Sequence, residues 1–253
     1  SFFPNIMSGP IERGDHFLGQ LREITEKKRR ELLNYDRVMQ GLIAMLLGYG
    51  MKLIVAQRAE ILVNQVYSMY QDANSFTMLM AALFYAVQIY CDFASYSMIA
   101  VGVGRLFGFE LVQNFKQPYF ARNLTDFWRR WHISLGNWFK EYVYFPLGGS
   151  KVGNMDKVIR NMLVVWLCTG IWHGAEWTFL LWGLLNFVCL VFERFTNFEE
   201  RRIPGVIKWL YTMFIVNLGW TIFRSPDLIA AGKYIKSMFG VGTNLIWTDT
   251  VWM

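Results

Sequence analysis

The sequence has 253 residues, of which 54% are hydrophobic, 17% aromatic and 17% charged, where ordinary soluble domains carry about a quarter of charged residues. This composition excludes disorder and low complexity and is too apolar for a pair of soluble domains, so a single membrane-embedded domain over 1–253 is expected. With 25 Lys and Arg against 19 Asp and Glu the formal net charge is +6, but the basic residues flank apolar runs instead of forming one tract, which favours an anionic lipid surface over nucleic acid.

The chain opens at Ser1 with no initiator Met and no basic leader, and it is expected to be a piece of a longer protein, truncated at both ends. His16 in the opening segment reads as solvated. After the basic run REITEKKRR (Arg22 to Arg30), Val38 to Ala56 is a candidate span, weakened by Gly41, Gly48, Gly50 and Lys52. Ala73 to Cys91 is the clearest span. Asp92 interrupts it before Phe93 to Gly104 continues, so Ala73 to Gly108 is one long helix or a broken pair. The spacing of Gly102, Gly104 and Gly108 is not a dinucleotide fingerprint, and its apolar setting favours close helix packing.

From Asn123 to Glu141, Leu124, Phe127, Trp128, Trp131, Leu135, Trp138 and Phe139 recur at steps of three and four, which predicts one amphipathic helix, capped by Asn123, lying along a membrane surface or under other helices. His132 falls on its apolar stripe. Asn161 to Ala175 and Trp177 to Phe192 flank Glu176 and suggest two segments meeting near His173; Trp209 to Phe223 is a shorter candidate. Four or five spans are expected. Basic connections at Arg122 to Lys151 and Phe198 to Lys208 bear on orientation, but a re-entrant segment inverts the count, so no topology follows from the sequence.

Cys91, Cys168 and Cys189 lie in apolar segments without ligand spacing and read as buried hydrophobes; no metal site is expected. No GxSxG elbow, P-loop or HExxH is present. His132 and His173 sit among tryptophans, where an ionisable group is costly. In WLCTGIWHGAEWTFLLWG, His173 follows Trp172 and precedes Gly174, which leaves room beside the ring. A neutral imidazole is a natural general base for a hydroxyl; the plainer reading is a buried histidine bonded to a helix carbonyl or water. Glu176, one helical turn on, orients the ring if the helix continues, although a spacer charge at a segment break is the favoured reading. Asp92 either holds helices together through Tyr90, Ser95, Tyr96 or Ser97 or touches substrate.

Four blocks carry a resemblance: FFPNIMSGPIER at Phe2 to Arg13, DFASYSMIAVGVGRLFGF at Asp92 to Phe109, NFKQPYFARNLTDFWRRWHISLGNWFKEYVYFPLGGSK at Asn114 to Lys151, and GIWHGAEWTFLLWGLLN at Gly170 to Asn186. Together they resemble the membrane-bound O-acyltransferase (MBOAT) family, in its bacterial alginate O-acetylation and teichoic-acid D-alanylation branch. The resemblance implies an all-α, multi-pass bundle with short horizontal helices, of which this chain is a core piece. It implies that His173 is catalytic and that His132 shapes or assists the site; beside them Trp172, Asp92, Glu176, Trp128 and Arg129 are expected as supporting or substrate-binding residues. The implied reaction moves an acetyl group from a cytoplasmic thioester donor, acetyl-CoA or an acyl-carrier thioester, toward a hydroxyl of an extracytoplasmic polysaccharide. Arg129, Arg130 and Lys151 are placed to neutralise donor phosphates, with a lipid-facing role the plainer alternative. No bound cofactor is implied. A separate esterase-like extracytoplasmic partner, a bacterial cell membrane and, within the same class, D-alanyl transfer to teichoic acid also follow from the resemblance; a transporter or scaffold for polymer export is the reading from another class.

Overall fold

Asparagine and aspartate set where the helices begin. Asn34, Asn74, Asn123, Asn154 and Asp227 each stand in extended backbone before a helix, and each side chain accepts a hydrogen bond of 2.6–3.1 Å from a backbone N–H two or three residues on, satisfying a donor that the first turn leaves unpaired. The computed structural model describes residues 9–26 and 34–241; Phe2 to Ser8 of the opening motif and Lys27 to Arg30 of the basic run lie outside them. The described residues form helices α1 (Gly14–Glu26), α2 (Tyr35–Gly50), α3 (Gln57–Ser68), α4 (Ser75–Leu106), α5 (Leu124–Arg130), α6 (Ile133–Phe139), α7 (Met155–His173), α8 (Trp177–Phe195), α9 (Gly205–Arg224) and α10 (Leu228–Met238). One π-helical turn, Met51–Ala56, joins α2 to α3.

Among the described residues, four helical runs are long and apolar enough to cross a membrane: Tyr35–Ser68, Ser75–Leu106, Trp177–Phe195 and Gly205–Arg224. α7 carries Asp156, Lys157 and Arg160 in its first turns and does not meet that measure. α4 is one helix of 32 residues, about 48 Å at 1.5 Å per residue, and not a broken pair. Asp92 sits within it because Lys52, in the π-helical turn, donates to its carboxylate at 2.5 Å. Two glycines of α2, Gly41 and Gly48, are contact residues: a Cβ on Gly102 of α4 would lie 2.6 Å from the carbonyl oxygen of Gly41, so the two backbones touch only because both side chains are hydrogen. Gly170 and Gly183 bring α7 and α8 together in the same way, with Gly183 against the Trp166 carbonyl.

The helix ends fall at two levels. At one, Arg224 closes α9 by donating to Asn64 Oδ1 of α3 at 2.7 Å and stacking over Tyr67 at 4.1 Å, beside the start of α8, where Phe179 meets Phe223 at 4.9 Å. Tyr234 of α10 packs edge-on to Tyr67 there. At the other level lie the start of α2, the exit of α4, the end of α8 and the start of α9; Glu193 near the end of α8 accepts from the Leu124 and Thr125 N–H groups at 2.6 and 3.1 Å.

The single amphipathic helix expected over Asn123 to Glu141 is instead two helices of seven residues. Trp131 is extended and His132 takes left-handed backbone, φ 46°, so α6 turns back along α5 and the pair enters the bundle as a hairpin with His132 at its tip. Tertiary hydrogen bonds hold the break: Lys116 N–H donates to the Arg130 carbonyl and Ile133 N–H to the Asn114 carbonyl, both at 2.9 Å. The apolar stripe faces the bundle, with Leu124, Phe127, Trp131, Leu135 and Phe139 buried.

Candidate active site

The inner ends of α5, α7, α8 and α9 meet in a lattice of indoles. Trp128 packs against Trp166 and Trp182 at 5.0 and 5.5 Å, and Trp131 against Trp220 at 4.8 Å. Trp128 is fixed at its polar edge as well, its indole N–H donating to Asn186 Oδ1 at 3.0 Å. These rings wall a cavity of about 450 Å³. Arg129, Lys140, Tyr144 and Met162 line one end of it, and Thr169, His173 and Phe223 the other. From Met162 to His173 the wall follows eleven steps of α7, roughly 16 Å.

The two histidines share this chamber. His173 closes α7 with its ring centroid 4.9 Å from Trp172, 5.1 Å from Trp182 and 5.1 Å from Phe223. His132 is 7% exposed, held edge to face by Phe93 at 4.6 Å. Trp172 also lies 6.1 Å from His132 and so stands beside both imidazoles. Burial first, and the nearby His173 second, hold His132 below the usual basicity of histidine.

Arg129, exposed at the chamber mouth, has no hydrogen-bond or ion-pair partner among the described residues, whereas Arg130 donates to Asp126 at 2.8 Å. Lys140 lines the same mouth and sits over the Phe145 ring at 5.6 Å.

Asp92 and Glu176, expected as supporting or substrate-binding residues, lie outside the chamber lining. Asp92 is half exposed and paired with Lys52, which makes it a brace between helices. Glu176 is exposed and outside the chamber lining. The helix stops at His173, and Gly174 to Glu176 turn the chain into α8, so the one-turn spacing from His173 that would bring the carboxylate to the ring does not exist. The room that Gly174 provides is occupied by Phe179, whose ring would lie 2.5 Å from a Cβ placed there. Sequence reasoning gave no role to Asn114, which accepts from His132 Nδ1 at 3.1 Å, or to Asn186. Only their polar character within apolar blocks could have drawn notice. Among the described residues no group of three His, Cys, Asp or Glu side chains is placed to hold a metal ion.

Residues 1–223 match the model of MBOAT, the membrane-bound O-acyltransferase family. The peptidoglycan O-acetyltransferase of Helicobacter pylori is 36% identical over 245 residues, which cover 95% of this chain and 46% of that protein. The probable alginate O-acetylase AlgI of Pseudomonas aeruginosa is 33% identical over 244 residues, 96% of this chain and 45% of that protein. The teichoic acid D-alanyltransferase of Bacillus subtilis is 29% identical over 244 residues, 88% of this chain and 59% of that protein. The chain spans about half the length of the curated relatives it matches.

Proposed function

The chain belongs to the membrane-bound O-acyltransferase family, and we propose that it is the core of a multi-pass bacterial cell-membrane enzyme that transfers an acetyl group from a thioester to a hydroxyl of a cell-surface polysaccharide. The observation that carries this reading is one chamber lined by the cationic Arg129 and Lys140 and by two imidazoles, His132 buried and His173 half-buried. A donor such as acetyl-CoA or an acyl-carrier thioester presents phosphate to Arg129 and Lys140 and passes its thin acyl arm along the indole wall. The hydroxyl oxygen attacks the thioester carbonyl carbon while His173 takes the hydroxyl proton; the new C–O bond forms, the C–S bond breaks, and the departing sulfur receives that proton from His173. The tryptophan walls exclude water that would compete as acceptor. Acetyl is favoured over D-alanyl because the two relatives of higher identity quoted above are named for O-acetylation. The polysaccharide acceptor and an esterase-like extracytoplasmic partner that completes delivery belong to the same reading.

The test is acyl transfer from a labelled thioester by the purified full-length protein. His173→Ala is expected to lower turnover by at least about a hundredfold with unchanged abundance in the membrane, and Arg129→Ala to raise KM for the donor with little change in kcat. Transfer that survives His173→Ala at the wild-type rate rejects the base assignment. Export of polymer that depends on the protein without acetylation would favour the transporter reading.

A further inference from the structure

Asn114 lies in the connection between α4 and α5, is 1% exposed, and collects three donors on one oxygen. His132 Nδ1 stands 3.1 Å from Oδ1, the Ser134 backbone N–H 3.1 Å and the Ser134 hydroxyl 3.0 Å. A backbone N–H can only donate, so the atom that meets Ser134 is the amide oxygen and the side chain cannot be turned end for end. The same oxygen faces His132 Nδ1, and an oxygen acceptor requires a proton on that nitrogen. Nδ1 therefore carries the hydrogen, and in a neutral ring Nε2 carries the lone pair. With Nδ1 committed to Asn114 and the ring lining the chamber, Nε2 is the nitrogen left for substrate.

We propose that Asn114 is a positioning residue that locks His132 in the Nδ1-protonated tautomer and presents Nε2 to the chamber as an acceptor. The inference rests on the acyltransferase reading and deepens it by dividing the work of the two histidines. A neutral ring in this tautomer has no N–H to offer the tetrahedral oxyanion. His132 Nε2 accepts a hydrogen bond from another hydroxyl of the acceptor substrate, the proton of the attacking hydroxyl goes to His173, and stabilisation of the oxyanion falls to other donors. The elements around His132 leave few competing influences: Phe93 of α4 and Trp172 of α7 present uncharged rings, and His173 is the titratable group whose charge reaches it. The amide Nδ2 of Asn114 has no hydrogen-bond partner among the described residues, so it is the oxygen of this side chain that the fold uses.

The test is the ¹⁵N spectrum of the full-length protein labelled at histidine, with His132 assigned by its loss in His132→Gln. At pH 7.5 the wild type is expected to show a protonated Nδ1 and a bare Nε2. Asn114→Leu is expected to release the ring into a mixture of tautomers and to lower kcat at least tenfold. Asn114→Asp, which keeps an oxygen acceptor, is expected to retain the tautomer and raise the pH at which the ring protonates by about one unit or more; a purely structural role for Asn114 predicts no such shift. A proton on Nε2 in the wild type overturns the inference, as does an unchanged tautomer in Asn114→Leu. If Asn114→Leu fails to fold, the wild-type spectrum and Asn114→Asp decide. Retained transfer in His173→Ala removes the functional reading and leaves the tautomer result standing, whereas the wrong tautomer in an active enzyme removes this inference alone.

Discussion

His132 carries a consequence for stability that can be signed. Burial, with a smaller effect of His173, lowers its pKa from 6.5 to about 3 in the folded chain. As pH falls below about 6.5 the unfolded chain takes up a proton that the folded ring refuses. The stability contributed by the neutral ring is thus complete above that pH and is lost progressively as pH falls toward the folded value. In detergent, the thermal unfolding midpoint of the full-length protein is expected to drop between pH 6.5 and 5, and the drop is expected to be smaller in His132→Gln, which has no proton to gain. Equal slopes in the two proteins would show that the ring is not held neutral by burial.

Among the elements, α2 and α4 show what the sequence made legible and what it did not. The apolar run of α4 has no Gly or Pro break before Gly102, yet Asp92 leaves one helix or a broken pair open in the sequence; that obstacle is answered by a lysine forty residues upstream. Lys52 had counted against the first span, since a pairing across helices leaves no local trace. The same holds for the glycines: Gly41, Gly48 and Gly50 look alike in the sequence, yet Gly41 meets the backbone of α4, Gly48 meets Ile99 and the Ser95 carbonyl, and Gly50 has nothing within 4 Å of a Cβ. Gly102→Leu is therefore expected to force α2 from α4 and cost about 1–3 kcal/mol, read as a lower unfolding midpoint, while Gly50→Leu leaves it unchanged. The break between α5 and α6 was invisible for a related reason. Its periodic stripe continues through His132, and only the bonds from residues 114–116 reveal that the backbone reverses there. The histidines themselves stood out by residue type and neighbours, whereas their spacing in the chamber and the partner of His132 depend on contacts distant in sequence.

For the whole molecule, the connections at the two levels of helix ends differ in their Lys and Arg content. At the level of Arg224, the connections 69–74, 174–176 and 225–227 contain Asp72, Glu176 and Asp227 and no Lys or Arg. At the opposite level stand Arg37, Arg105, Arg122, Arg201, Arg202 and Lys208. Short connections rich in Lys and Arg tend to remain in the cytoplasm, so the level of α4's exit is expected to face inward and the α7–α8 turn outward; Lys233 and Lys236 follow the last span, on α10, where they weigh less than the connections between spans. In this orientation the Arg129 and Lys140 mouth would face the cytoplasmic donor proposed above and His173 the outer leaflet, the arrangement that the proposed transfer to an outer acceptor requires. The test uses full-length protein freed of Cys91, Cys168 and Cys189. A membrane-impermeant maleimide is expected to label Asp72→Cys and Asp227→Cys in intact cells, and Arg201→Cys only after permeabilisation. The reverse pattern would turn the cationic mouth outward, where no cytoplasmic thioester reaches it, and His173 would then lie on the wrong side of the chamber for the reaction assigned to it.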